Sequence, residues 1–279
     1  MALKTQVVDR IPTYPGRVKL TPVSGQTNTY DLVRADQPIE AGTPINKVLF
    51  DQKAYTLTGD VIVYVATTGS DVTGDGTSAA PYATIQKALD SLPKWLDGYA
   101  ANISIAAGTY DELIRVNGFQ GGILTIGNSG RAIIVRGITV STSSLVRLYM
   151  NITRSSALGG TPLTVRNGSN VQIGDSLVID SAGGGNGMVV ENGSSLFVGE
   201  DILDSLKITF NNCPYNAVYA TGGSRIQLSN VQGSNNGTGF RANAGVITYI
   251  SSTMSATTLH VTTNGGRIYS GAQTSVTKY

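Results

Sequence analysis

The chain has little of what most catalytic chemistry uses. Its 279 residues include one cysteine and one histidine, and only 14% are charged. With Cys213 alone, no disulfide can close within the chain. A catalytic thiol there would need a general base, and His260 lies two repeats further on; Cys213-Pro214, between apolar runs, reads as a turn or packing residue. His260 sits in the alternating run Leu259-His260-Val261, where an outward or hydrogen-bonded ring is expected rather than a metal ligand. No apolar run approaches the length that spans a membrane, and Met1 to Arg10 lacks the apolar centre of a secretory signal. The expectation is therefore synthesis in a cytoplasm, with no encoded export route and no membrane insertion. Phosphate-binding loops, paired Cys/His zinc spacings, nucleophile elbows and nucleic-acid signatures are also missing, so no cofactor and no nucleic-acid partner are expected.

Charge of one sign is missing from the final quarter. Asp204 is the last acidic side chain, and Lys207, Arg225, Arg241, Arg267 and Lys278 follow it, although the formal net charge is only +2. Such a run reads either as solvated side chains on a polar surface or as attraction to an anionic cell-surface polymer.

What the chain does have is glycine, 34 residues of it, and a repeat. Turns at Asn167-Gly168-Ser169, Asn192-Gly193-Ser194, Gly222-Gly223-Ser224, Asn243-Ala244-Gly245 and Asn264-Gly265-Gly266 each precede a short apolar run such as Val171-Gln172-Ile173, Leu196-Phe197-Val198 or Ile226-Gln227-Leu228. Strand formers punctuated by glycine and asparagine, returning every twenty to thirty residues, are what a parallel β-solenoid leaves in its sequence. One coil cannot bury its own apolar face and must stack on its neighbours. Low charge fits this, because aligned like charges on successive coils would repel.

Composition divides the chain near Gly59-Asp60: five of nine prolines fall within the first 44 residues, and 30 of 34 glycines follow residue 60. In the first part, strands are expected at Arg17 to Leu20 and Tyr30 to Arg34, with a short helix around Asn46 to Ala54. Such a segment, 1–60, is too small for a large core and is expected to dock onto another protein or onto its symmetry copies. The second part, 61–279, opens over 61–100 with the buried-strand candidate Val61 to Val65, a loop from Thr68 to Thr77, and an amphipathic helix. Ile85, Ala88, Leu89 and Leu92 share one helical face, Thr84 is placed to cap the N-terminus and Pro93 to stop the helix. Its apolar stripe suits it to cover the exposed end of the first coil.

The series formed by that strand, the loop Gly69-Ser70-Asp71-Val72-Thr73-Gly74-Asp75-Gly76-Thr77, the helix Tyr82 to Leu89 and then Ala107-Gly108-Thr109-Tyr110-Asp111-Glu112 resembles the opening of right-handed parallel β-helix proteins of the pectate-lyase-like superfamily. Gly118 to Ile126 resembles the versions carried on bacteriophage tail fibres and tailspikes, and Pro12 to Val18, Tyr30 to Asp36 and Gly42 to Lys47 resemble the N-terminal attachment segment of tail proteins in phages of Gram-positive bacteria. The resemblance implies an all-β, right-handed parallel β-helix with an N-terminal capping helix, forming a homotrimer. It also implies a place in the virion tail, attachment to tail or baseplate proteins through 1–60, and contact with host cell-wall polysaccharide.

Three sets of residues are candidates for chemistry. Family members that cleave polysaccharides use paired carboxylates, and here Glu200, Asp201 and Asp204 form the tightest acidic group in the coils. The other reading of that group is of turn residues bonding to nearby backbone. Asp71 and Asp75, among glycines and hydroxyls, could help hold calcium or could simply brace the loop. Tyr215, Tyr219, Tyr249 and Tyr269, with Arg225, Arg241 and Arg267, are candidates for gripping sugars or protein partners, although stacked aromatics in a solenoid are as often interior. No capping helix closes the last run, Ile268 to Tyr279, and threefold association would shield it. The functional expectation is an adhesive structural subunit of a phage tail; a depolymerase and a purely architectural tail component are the alternatives.

Overall fold

A computed structural model of the chain describes residues 11–12, 18–25, 30–34, 38–40, 56–130, 132–153, 161–181, 184–198 and 206–271. The chain forms two compact units, Met1–Gln52 and Lys53–Tyr279. In the first, Val18–Pro22 pairs antiparallel with Tyr30–Arg34, and Ile11–Pro12 with Pro38–Glu40. The helix expected around Asn46 to Ala54 lies outside the described residues. The boundary falls before Gly59-Asp60 because Leu57 already belongs to the core of the second unit.

That second unit is a parallel β-solenoid of about 7 turns. Each full turn gives one strand to each of three parallel sheets. Sheet one stacks Val61–Val65, Ala100–Ile105, Ile123–Gly127, Val146–Tyr149, Asn170–Ile173, Ser195–Val198, residues 225–228, residues 246–249 and Arg267–Ser270. In register, Ala101, Leu124, Val146, Val171, Leu196, Ile226, Ile247 and Ile268 form one inward column, so one turn takes 21 to 30 residues. Sheet two aligns Tyr110, Val135, Ile152, Ile179 and Phe210 inward, and sheet three aligns Ile114, Ile138, Leu163, Met188, Val218 and Phe240. Alternate residues point outward, because side chains along a strand alternate between its two faces. Burying each aliphatic or aromatic column member contributes ~1.5–3 kcal/mol, which is what makes the stack, and not the single coil, stable.

Turn chemistry explains the repeat. Asn167 and Gly168, and likewise Asn192 and Gly193, take φ between 55° and 71° as the chain passes from sheet three to sheet one. This is the left-handed region that asparagine and glycine tolerate best. The serine at this point of the turn faces inward: Ser143, Ser169, Ser194 and Ser224 form a buried column in which the backbone N–H of each of the first three donates to the hydroxyl of the next serine at 3.1 to 3.2 Å. On the outside, the Asn192 amide donates to the Asn167 carbonyl oxygen at 3.2 Å. In sheet two the inward column is interrupted at Gly233, where a Cβ would run into the Phe210 carbonyl of the previous turn.

The helix Ile85–Ser91 buries Ile85, Ala88 and Leu89 against Val61–Val65, Ala100–Ile105 and Gly108–Asn117. Thr84 caps it, accepting from Lys87 N–H at 3.2 Å, and Leu92 and Pro93 end it. The helical spacing of the four apolar residues and the two end signals thus act as the sequence indicates.

Candidate functional site

The outward face of sheet one carries a groove of about 460 Å³ across its first turns. One outward column runs Ile62, Asn102, Thr125, Arg147, Gln172, and beside it lie Tyr64, Ser104 and Tyr149. Parallel register sets these groups in rows ~4.8 Å apart along the coil axis. Arg147 is held in the row, its Nε donating to Gln172 Oε1 at 2.7 Å. The Tyr149 ring lies over Gly174 of the next turn, where any Cβ would collide with it. Asn128 reaches back one turn, donating to the Ser104 hydroxyl at 3.3 Å and accepting from Ile105 N–H.

Asp175 braces the flank of this groove. Its carboxylate accepts from Gly130 N–H at 2.8 Å, the Ser129 hydroxyl at 3.1 Å and Ser176 N–H at 2.7 Å. The Gly130 bond above all holds the Asp175 pKa below the usual carboxylate value, against the opposing effect of burial. The loop is therefore tied across two turns by a charged acceptor. The groove presents ring faces, hydroxyls, amides and one guanidinium, with Ile62 about half exposed at 52%. Such a surface can stack on the apolar face of a sugar ring while hydrogen-bonding its hydroxyls.

Asp71 and Asp75 both spend their carboxylates on hydrogen bonds in and beside their loop. Asp71 Oδ1 accepts from Ala83 and Thr84 N–H at 2.8 and 3.0 Å, and its Oδ2 from the Thr84 hydroxyl at 2.7 Å. Burial alone would raise its pKa, but these hydrogen bonds outweigh it and lower the value. Asp75 folds back on Thr77, whose N–H and hydroxyl both donate to it. Among the described residues no group of three His, Cys, Asp or Glu side chains converges as a metal site would need. Glu112 joins Asp71 at the head of the helix, accepting from Ile85 and Gln86 N–H at 2.7 and 2.9 Å, where carboxylates neutralise the unpaired donors. Burial, opposed by those two bonds, raises the Glu112 pKa. Nothing local in the sequence marks Glu112 for this role, because its partners Ile85 and Gln86 lie 27 and 26 residues earlier in the chain.

Glu200, Asp201 and Asp204 lie outside the described residues. The seven aromatic and basic candidates do not form one site. Tyr249 is a core residue, 5% exposed, stacked on Phe240 at 4.3 Å, with its hydroxyl 2.7 Å from His260 Nε2. It therefore leaves the surface set, since its column position turns it inward. Arg225, Arg267 and Tyr269 face outward on the last turns of sheet one. Tyr219 and Arg241 face outward on sheet three, the guanidinium 5.6 Å from the ring centre, with Asn243 donating to the Tyr219 hydroxyl at 3.3 Å. Tyr215, 67% exposed, stands on the turn between sheets two and three. Tyr64, Tyr149 and Arg147 were not singled out in the sequence; outward parity opposite the apolar residues of each strand would have found them. Cys213 is buried, its thiol pushed up to about 12 by burial, which disfavours the thiolate that a nucleophile needs. Comparison with known proteins gives no matching family model, no matching curated protein and no matching solved structure.

Proposed function

We propose that this chain is an adhesive structural subunit of a phage tail or a related particle, which binds a cell-surface glycopolymer along the outer face of sheet one without cutting it. The observation that carries the reading is the groove of Tyr64, Tyr149, Arg147, Asn102 and Ser104, built on a rigid stack and braced by Gly174, Asn128 and Asp175. Rigid rings and fixed amides lose little conformational freedom on binding, so weak contacts repeated along a polymer add up. The resemblance of the opening segment to β-helix tailspikes supports the tail assignment, and residues 1 to about 60 would fix the subunit to tail or baseplate proteins. The described end of the stack leaves Leu259 and Tyr269 exposed at 41% and 43%, and threefold association of copies would cover such a surface.

Light scattering combined with adsorption to bacterial cell-wall preparations tests this. A trimer that adsorbs, and that loses about tenfold in affinity on Tyr149→Ala or Tyr64→Ala, supports it. A stable monomer, or adsorption indifferent to both tyrosines, overturns it; release of reducing ends from the polymer would favour the depolymerase reading and point to the Glu200, Asp201 and Asp204 segment.

A further inference from the structure

The outward face of sheet three carries a second cavity, of about 360 Å³, lined by Arg115, Val116, Asn117, Thr139, Ser141 and Arg166. In register, Arg115 stands beside Thr139 and Asn117 beside Ser141, while Ser141 in turn stands beside Arg166. The two arginines are thus two turns apart, ~10 Å along the axis at the usual strand spacing, with two hydroxyls between them. That is a span two extended guanidinium arms can close over one group.

Their surroundings set these arginines apart. Arg136 pairs with Asp111 at 3.2 Å, Arg147 bonds to Gln172, and Arg241 lies over Tyr219. Arg115 and Arg166 are both exposed, and neither guanidinium makes a hydrogen bond or ion pair with a described residue. Arg225 and Arg267 are also exposed and stand two turns apart in register, but the residue between them is Val246, which offers no hydroxyl. Glu191 follows Val190, the partner of Val165, so it stands next to Arg166 on the following turn, yet no ion pair joins them among the described residues and Glu191 does not line the cavity. The floor offers Ser141, whose hydroxyl accepts from the Asn167 amide at 3.1 Å and lies 3.3 Å from the Thr142 hydroxyl, so that its proton can turn to either Thr142 or a ligand. Two guanidinium forks, two hydroxyls and an amide, without a carboxylate in the lining, are a donor set for an anion rather than for a neutral sugar.

We infer that this cavity binds an oxyanion of an acidic glycopolymer, held between Arg115 and Arg166 with Thr139 and Ser141 beneath it. The inference rests on the glycopolymer reading above and narrows it to polymers that carry regularly spaced negative groups. Phosphodiester and carboxylate oxygens offer the same acceptor chemistry, and the probes separate them.

The full chain would be titrated with poly(glycerol phosphate), polygalacturonate and neutral dextran, comparing wild type with Arg115→Gln, Arg166→Gln, Lys207→Gln and Tyr149→Ala. Both arginine side chains are exposed, so unchanged melting curves are expected. Acidic polymer should bind, weaken as salt rises from ~0.05 to ~0.5 M, and weaken about tenfold further in either arginine variant, with Lys207→Gln near wild type. Binding of poly(glycerol phosphate) alone identifies a phosphodiester ligand, and binding of polygalacturonate alone a carboxylate. Arginine variants that bind as wild type does, or that lose no more than Lys207→Gln, overturn the inference; if Tyr149→Ala alone then abolishes binding, the groove on sheet one stands by itself. Binding of none of the three polymers, with no adsorption to cell walls, removes both readings together.

Discussion

Ser169→Ala tests how much the buried serine column contributes. Ser169 is fully buried, accepts from Ser143 N–H at 3.1 Å and donates to the Arg166 carbonyl at 2.7 Å. Alanine takes nearly the same space, so the change removes hydrogen bonding and leaves almost no cavity. The Arg166 carbonyl keeps a longer bond from Thr142 N–H at 3.4 Å. Ser143 N–H keeps nothing, in a site where Ser143 itself is 1% exposed and water has no access. An unpaired buried donor costs ~1–3 kcal/mol, so the expected loss is ~2 kcal/mol. The control is Ser195→Ala, one residue past the next column member. Its hydroxyl donates outward to Asn170 Oδ1 at 2.8 Å, where solvent can replace it, and a loss within ~0.5 kcal/mol is expected. Urea unfolding followed by circular dichroism and by fluorescence reads the difference as a shift in midpoint at constant slope. Coincidence of the two probes checks that the stack unfolds as one unit. Equal midpoints for the two variants, or a Ser169→Ala protein within ~0.5 kcal/mol of wild type, would refute the reasoning.

Ala244 holds φ 52° at an exposed turn where neighbouring coils use glycine or asparagine, so Ala244→Gly should raise stability by ~1 kcal/mol, seen as a higher melting temperature. Cys213, buried and with its thiol at about 12, should resist a thiol reagent at pH 8 in the folded protein and react at once in denaturant; rapid labelling of the folded chain would contradict its place in the core. Asp71 has a lowered folded pKa, so its contribution is present above the ordinary 3.8 and is lost as pH falls through the folded value; the stability gap between wild type and Asp71→Asn should close with acidification. Glu112 has the opposite sign. Its raised folded pKa means the folded chain holds the proton more tightly, so its contribution is fullest below the ordinary 4.5 and declines as pH rises through the folded value. Glu112→Gln should remove that decline from the stability profile, and an unchanged profile would count against the helix-head contact.

Asn167-Gly168-Ser169 and Asn192-Gly193-Ser194 were enough to reveal a solenoid, because each position in the turn has a local reason: left-handed backbone at the first two and a small inward hydroxyl at the third. The helix was legible for the same kind of reason, since Thr84, the apolar spacing and Pro93 act within a few residues of one another. Register is a different matter. Whether Arg115 and Arg166 flank one cavity depends on how many residues each intervening turn holds, and one residue more would turn a whole column to the other face. The same parity sent Tyr249 into the core and brought Tyr149 out onto the groove. Asp71 and Glu112 meet at one helix end although they lie on different coils, a contact set by stacking alone. The repeat, its turns and the helix follow from the order of residues alone, because those are short-range choices of backbone and burial. Which side chains share a face, and therefore what the surface can hold, was decided only when the coils stacked.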